Sequence, residues 1–232
     1  MKTLLFILII ACAPAIGYTA QDVSQQATEE KITALRAELS RLVASFLAPP
    51  QEITDKYSDF LKLPETGIVK LMPRGLHNNL MDARMEGGAY YSFVRRSHEY
   101  GQGNDIQLDA RGLLRVGFAG LDYGFFANLG KGTIESIQPS PDAPAWITGS
   151  ARKAWDEEWN YRPPTDLDAL RRDAAPSDSH QTLPREGAVY LLRSIAPRQS
   201  DILVAFKVER KLNDGSVVIV WRMLSSWDPP RR

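Results

Sequence analysis

Three strands near the C-terminus constrain the fold of this chain more than any other feature of its sequence. Ala188 to Ile195, Asp201 to Lys211 and Ser216 to Ser226 are rich in β-branched and aromatic residues. Asn213-Asp214-Gly215 separates the last two strands and favours a tight hairpin, because positive φ costs little at such residues. This part of the sequence therefore predicts an antiparallel sheet.

Alternation along this hairpin predicts which of its faces is buried. Every second residue is apolar, and the two strands offer matching sets: Ile202, Val204, Phe206 and Val208 on one, and Val217, Ile219, Trp221 and Met223 on the other. Cross-strand pairs of such residues each contribute about 0.2 to 1 kcal/mol. We expect this face to point toward the core.

The stretch from Gly87 to Gly130 is the densest in aromatic, glycine and charged residues, and it predicts a second group of strands. A strand with one polar and one apolar face, such as the one that holds Ile106 and Leu108, is typical of antiparallel sheets. We expect strands at Gly67 to Leu71, Ala89 to Arg96, Asp105 to Ala110, Leu113 to Phe118 and Tyr123 to Leu129. The predicted fold class is α+β: a mostly antiparallel sheet or open barrel, with one or two packed helices.

An amphipathic helix is predicted over Glu29 to Leu47, with Thr28 as its N-cap and Pro49-Pro50 after its end. Its apolar residues recur at spacings of three and four: Ile32, Leu35, Leu39, Leu42, Val43 and Phe46. This stripe is short, so packing on its own domain is the expected outcome and self-association of the helix is the alternative. Two more helices are predicted, at Ser150 to Asn160 and Thr165 to Ala174.

The N-terminus resembles a secretory signal peptide, because Lys2 precedes an apolar run from Leu4 to Ala13 and then small residues. We expect residues 1–20 to be the signal, 21–50 to be the helix and linker, and 51–232 to be a single β-rich domain. Two small β domains are the alternative to that single domain. The protein is expected to be exported, periplasmic or secreted, and a lipoprotein anchored through Cys12 is the second possibility.

Composition argues against several functional classes. Lysine plus arginine and aspartate plus glutamate number 28 each, so no net charge favours nucleic acid as a partner. No apolar run reaches the roughly 20 residues of a transmembrane span. Cys12 is the single cysteine and lies within the predicted signal. His77, His98 and His180 are scattered without metal-ligand spacing, so we expect neither a metal nor a cofactor.

The candidate site combines a strand row with a turn. Arg96, His98 and Tyr100 alternate along one strand end, where His98 could act as a base near neutral pH and Arg96 could bind an anion. Asp122 and Tyr123 sit at a turn between glycines, where a carboxylate can bind a ligand. The alternative is a charged strand end that guards a sheet edge, and a turn aspartate that caps its own backbone.

Two functions follow from these residues. The first is an exported, non-catalytic envelope or secreted protein that binds an unknown ligand or envelope partner across the Gly87 to Gly130 sheet. The second is a hydrolase or lyase with His98 as general base. A purely structural role would require self-association of the Glu29 to Leu47 helix.

Overall fold

The computed structural model describes residues 20–76, 86–118, 122–138 and 180–230, and of these the side chains from residue 25 onward, Glu86 excepted. The chain divides into two units, Met1–Ser45 and Phe46–Arg232. The described helices are α1 (Ala20–Leu47), α2 (Gln51–Lys56) and the 3₁₀ turns Phe60–Lys62 and Glu86–Gly88. The described strands are β1 (Thr66–Leu71), β2 (Tyr90–Tyr91), β3 (Ile106–Leu108), β4 (Leu114–Arg115), β5 (Tyr123–Lys131), β6 (Gln181–Thr182), β7 (Ala188–Ala196), β8 (Ser200–Lys211) and β9 (Val217–Trp227).

Helix α1 is longer than predicted, since it begins at Ala20 and not at Glu29. Thr28 therefore lies inside the helix and is not its N-cap. The helix ends before Pro49, whose ring cannot continue the hydrogen-bond ladder. Its apolar stripe is exposed: the exposed fractions are 43% at Ile32, 61% at Leu35, 48% at Leu39 and 52% at Leu42.

The second unit is built on two open antiparallel sheets. The larger sheet has the order β1-β9-β8-β7-β5, and the smaller has the order β2-β3-β4-β6. Strand β5 comes from the first strand group but pairs with β7 of the second group. The predicted mostly antiparallel α+β fold is thus confirmed in its open form.

One face of the large sheet packs in a core shared with the small sheet. Phe206 pairs with Trp221 across the predicted hairpin, and both side chains are fully buried. Tyr91 and Leu108 from the small sheet belong to the same apolar cluster. The predicted inward face of the hairpin is confirmed.

The opposite face of the large sheet is buried as well. Leu203 and Val220 lie on it, and the segment around α2 covers it with Ile53, Tyr57 and Phe60. Burial on both faces explains why β7 is buried along its whole length. This second core brings α2 against β8, where the candidate site lies.

Several predicted strands are shorter in the structure. The strand expected at Ala89 to Arg96 is reduced to Tyr90–Tyr91, because the chain turns at residues 93–96 and closes through a bridge between Ser92 and Ser97. The strand expected at Leu113 to Phe118 keeps only Leu114–Arg115. Strand β6, which pairs with β4, was not predicted.

The predicted signal and the two predicted helices at Ser150 to Asn160 and Thr165 to Ala174 lie outside the described residues. Within the described ranges, no helix has both the length and the apolar character needed to cross a membrane.

Candidate functional site

A β-bulge in strand β8 positions the central carboxylate of the candidate site. Val208 pairs with Ile219 and Arg210 pairs with Val218, so Glu209 is an extra residue between them. In a regular strand, neighbouring side chains point to opposite faces. Here Glu209 contacts Lys56 while Arg210 contacts Glu52, and both partners lie on α2. The bulge thus turns two consecutive residues toward the same helix, and bulges are frequent beside functional sites.

Glu209 is the centre of a small polar network. Its Oε1 accepts a hydrogen bond from Lys56, and its Oε2 accepts one from the Tyr57 hydroxyl at 2.6 Å. The Lys207 ammonium lies 3.1 Å from the same Oε2 and donates to the Tyr57 hydroxyl oxygen at 3.3 Å. One carboxylate therefore holds two ammonium groups and one phenol in fixed positions.

This network forms one wall of a pocket with a volume of about 510 Å³, which we call the lysine pocket. Small-molecule sites typically have volumes of about 300 to 1,000 Å³. The rings of Tyr57 and Phe60 are both buried, with their centroids 6.1 Å apart in an edge-on arrangement. The pocket is lined by Lys56, Tyr57, Asp59, Phe60, Leu63, Thr133, Glu135 and Lys207.

The contacts in the network determine the protonation states of Glu209 and Tyr57 at neutral pH. Burial alone would raise the pKa of Glu209, but hydrogen bonds from Lys56, Tyr57 and Lys207 outweigh burial and lower it. Burial and the neighbouring Glu209 carboxylate raise the pKa of the Tyr57 phenol. At neutral pH the carboxylate is thus ionised and the phenol keeps its proton, so neither group is poised to exchange a proton.

No family model, curated protein or solved structure matches this chain.

Among the predicted site residues, His98 is fixed by main-chain contacts. Its Nδ1 lies 2.8 Å from the carbonyl oxygen of Tyr90, and its ring packs edge-on against Tyr91 with centroids 5.2 Å apart. Burial lowers the pKa of His98 to about 4, although the carbonyl groups of Tyr90 and Gly88 act in the opposite direction. The imidazole is therefore neutral at pH 7, with Nδ1–H donating to Tyr90.

Arg96 and Tyr100, which flank His98 in the sequence, each pack on an aromatic ring. Arg96 has a positive φ of 53°, which the tight turn imposes, and its guanidinium lies 5.3 Å from the ring centroid of Trp221. Tyr100 packs on Tyr90 with ring centroids 4.6 Å apart and remains 42% exposed. We call residues 92–100 the histidine turn.

Asp122 and Tyr123 contact other parts of the fold. Burial raises the pKa of Asp122, and the backbone N–H of Gly103 acts in the opposite direction. Tyr123 begins β5 and packs edge-on against Phe125 at 6.4 Å. The structure thus brings His98 and Tyr100 together around Tyr90, while Asp122 and Tyr123 lie beside different partners. Within the described residues, no group of three or more histidine, cysteine, aspartate or glutamate side chains could hold a metal ion.

Sequence reasoning missed the lysine pocket because its residues are far apart in the chain. Lys207 and Glu209 occupy the polar positions of β8, and Tyr57 and Phe60 come from a segment about 150 residues earlier. The one available signal is the pair of charged residues Glu209 and Arg210 in succession, which interrupts the alternation of the strand. Such an interruption is typical of a bulge.

Proposed function

We propose that the protein is an exported, non-catalytic binding protein whose ligand occupies the lysine pocket. The observation that supports this most directly is the Glu209 bulge, which holds Lys56, Lys207 and Tyr57 at the edge of a concave surface. A few ordered polar groups in a concave surface with an apolar lining are typical of small-molecule sites. The ionised carboxylate and the protonated phenol favour recognition and not turnover.

The lysine pocket is a better location for this ligand than the Gly87 to Gly130 sheet. Tyr90, Tyr91 and Phe93 belong to the core and are at most 6% exposed. Buried rings stabilise the fold but are not accessible to a ligand. Arg96 and Tyr100 remain as the exposed edge of that sheet, which is a small surface for recognition.

A pocket-filling substitution tests the location. Small carboxylates, amines, sugars and dipeptides are screened by ligand-observed NMR against the wild type, Leu63→Trp and the control Leu129→Trp. Leu63 lines the pocket and is 50% exposed, while Leu129 is 46% exposed and is not among the lining residues. We expect at least one compound to bind the wild type and Leu129→Trp but not Leu63→Trp. If no compound depends on Leu63 in this way, the pocket is not the binding site.

Export is supported by the N-terminal sequence alone. Lys2 followed by the apolar run Leu4 to Ala13 is the pattern of a cleaved signal peptide. Intact-mass measurement of the protein from its native host should show the loss of about 15 to 20 residues. A chain that still begins at Met1 would contradict export by this route, and a lipid-modified Cys12 would favour the lipoprotein alternative.

The alternative function, a hydrolase or lyase with His98 as base, makes a different prediction for the histidine. A working general base has a pKa near the operating pH. Burial holds the pKa of His98 at about 4, so its ring resonances should titrate far below pH 6 in an NMR experiment. A midpoint near 6.5 would show an accessible imidazole and would favour the enzymatic alternative.

A structural role through self-association is a second candidate, favoured by the exposed stripe of α1. Ile32, Leu35, Leu39 and Leu42 follow the three-four spacing of a coiled-coil seam. If copies of α1 pair, sedimentation velocity should detect an oligomer that Leu35→Glu converts to a monomer, while Thr33→Glu leaves it intact. A wild-type monomer at all accessible concentrations would remove this candidate.

A further inference from the structure

The charges of the lysine pocket indicate which chemical groups its ligand should carry. Lys56 and Lys207 each carry three N–H donors. The described contacts use one donor of Lys56, toward Glu209, and two of Lys207, toward Glu209 and the Tyr57 hydroxyl. Two ammonium groups face a single carboxylate on this wall, so the wall itself has an excess of N–H donors and of positive charge, which Asp59 and Glu135 offset elsewhere in the lining. A group with negative charge and acceptor oxygens satisfies both.

Glu209 itself has little remaining capacity to accept. Its Oε1 is occupied by Lys56, and its Oε2 is shared by Tyr57 and Lys207. The side chain is only 9% exposed, whereas that of Lys56 is 56% exposed. A ligand in the pocket therefore meets the ammonium groups and not the carboxylate behind them.

Two carboxylates in the rest of the lining disfavour a ligand of high negative charge. Glu135 lines the pocket, and its negative charge contributes to the raised pKa of the Tyr57 phenol. Asp59 adds a second carboxylate at the rim, paired with Lys62 at 2.7 Å. Glu135 would repel a dianion such as a phosphate monoester more strongly than it would repel a monocarboxylate.

The apolar part of the lining favours a ligand with an apolar body. Leu63 is 50% exposed in the lining, whereas Phe60 and Tyr57 are each only 6% exposed, so Leu63 offers the larger apolar surface to a ligand. An apolar surface of this kind gains from covering by hydrocarbon, at about 25 cal/mol for each Å² removed from water. The volume of about 510 Å³ accommodates a compound with a ring or a short chain.

We propose that the lysine pocket binds a small organic monocarboxylate with an apolar body, its carboxylate on Lys56 and Lys207 and its apolar part against Leu63. This rests on the proposed function, because it takes the pocket as the ligand site. The binding is reversible and involves no covalent step. The specificity follows from the ammonium pair, since a neutral amide of the same shape offers no charge to it.

The probe is 3-phenylpropionate, compared with its neutral amide by isothermal titration calorimetry and NMR chemical-shift mapping. A charge-assisted hydrogen bond corresponds to roughly a tenfold or greater difference in affinity, so we expect the amide to bind at least about 10-fold more weakly. Lys207→Met and Lys56→Met should each reduce the affinity for the acid by about the same factor and leave the amide unaffected. Lys207→Arg should retain most of the binding, and Lys211→Met, a surface lysine of the same strand, should bind as the wild type does.

The outcomes separate the ligand class from the location of the site. Equal affinities for acid and amide, or no effect of either lysine substitution, would overturn the monocarboxylate assignment. The absence of any shift of lining resonances with 3-phenylpropionate would overturn it as well. If other compounds still bind in a manner blocked by Leu63→Trp, the pocket remains the ligand site and the ligand class alone is wrong. Lys56 is 56% exposed, so its substitution tests the proposal even if Lys207→Met fails to fold.

Discussion

The histidine turn and the lysine pocket both bring titratable residues together beside aromatic rings, yet the two regions differ in what those residues can do. In the histidine turn, His98 is held by a main-chain carbonyl group and Arg96 lies over the buried Trp221. In the lysine pocket, Lys56 and Lys207 keep donors beyond those that the network uses. His98 of the histidine turn is thus bound within the fold, whereas the two lysines of the lysine pocket retain the donors that our proposal assigns to a ligand.

This difference shows that residue type alone is a poor guide to function. A histidine is the usual choice for chemistry near neutral pH, but burial keeps His98 neutral and the Tyr90 carbonyl group holds its ring in place. Lysines on a sheet are commonly solvated surface groups, but the Glu209 bulge holds Lys207 at the edge of a pocket. Substitutions in the two regions should therefore differ in their effects on stability and on binding.

The largest expected effect is at the core beneath the histidine turn. Trp221 is fully buried and packs against Phe93 with ring centroids 5.1 Å apart. Trp221→Ala should lower the free energy of unfolding by about 3 to 5 kcal/mol, because it removes a large ring and leaves a cavity. Leu63→Ala in the pocket should change it by about 0.5 kcal/mol or less. Urea denaturation measures both, and similar losses would show that the two regions are equally tied to the core.

The next effect is a pH dependence from Asp105, the buried carboxyl that joins the histidine turn to the large sheet. It accepts hydrogen bonds from the Phe93 N–H at 2.7 Å and the Ser194 hydroxyl at 2.8 Å. Burial raises its pKa from 3.8 to about 6, although these hydrogen bonds oppose the shift. The folded state therefore binds more protons than the unfolded state between these values, and this contribution to stability falls as pH rises through that window.

A shift of about two pKa units corresponds to about 3 kcal/mol. Asp105→Asn should lack this dependence, so its stability relative to wild type should increase by about that amount from pH 4 to pH 7. Urea denaturation at several pH values makes the comparison, with Asp55→Asn on the exposed side of α2 as the control. A constant difference between Asp105→Asn and wild type across the range would contradict the buried, neutralised state of this carboxyl.

A smaller effect is expected from the phenol of the lysine pocket. Tyr57→Phe removes the hydroxyl that donates to Glu209 and accepts from Lys207. Loss of a hydrogen bond to a charged group should cost about 1.5 kcal/mol in unfolding free energy. Tyr100→Phe, at an exposed position of the histidine turn, should be nearly neutral by the same denaturation assay. A larger loss at Tyr100 than at Tyr57 would reverse the comparison between the two regions.

The smallest effect on stability should come from a lysine of the pocket itself. Glu209 keeps Lys56 and Tyr57 as partners when Lys207 is replaced. Lys207→Met should thus lower the unfolding free energy by about 1 kcal/mol, the effect of one typical hydrogen bond, because the largely buried carboxylate keeps two other donors. Thermal and urea denaturation would detect a larger change. A loss as large as that of Trp221→Ala would mean that Lys207 is a structural residue and not a free ligand group.

Local signals were enough to predict the hairpin of β8 and β9, because side-chain alternation and the Asn213-Asp214-Gly215 turn involve residues that are close in the chain. The buried face with Phe206 and Trp221 followed from the same alternation and was confirmed. The extent of α1 was underestimated, since the polar residues before Glu29 give no apolar period even though they form helix. The lengths of the strands around the histidine turn were overestimated, because Ser92 and Ser97 close a turn that β-propensity does not reveal.

The location of the candidate site depends on long-range packing. The pairing of β5 with β7 and the cover of α2 over the second face of the sheet join segments that are distant in the chain. Tyr57 and Glu209 meet across 152 positions, and no local pattern encodes that contact. The pKa of His98 also depends on long-range packing, because burial and neighbouring dipoles shift it. Local periodicity specifies secondary structure, whereas the availability of a charged group depends on which distant segments pack around it.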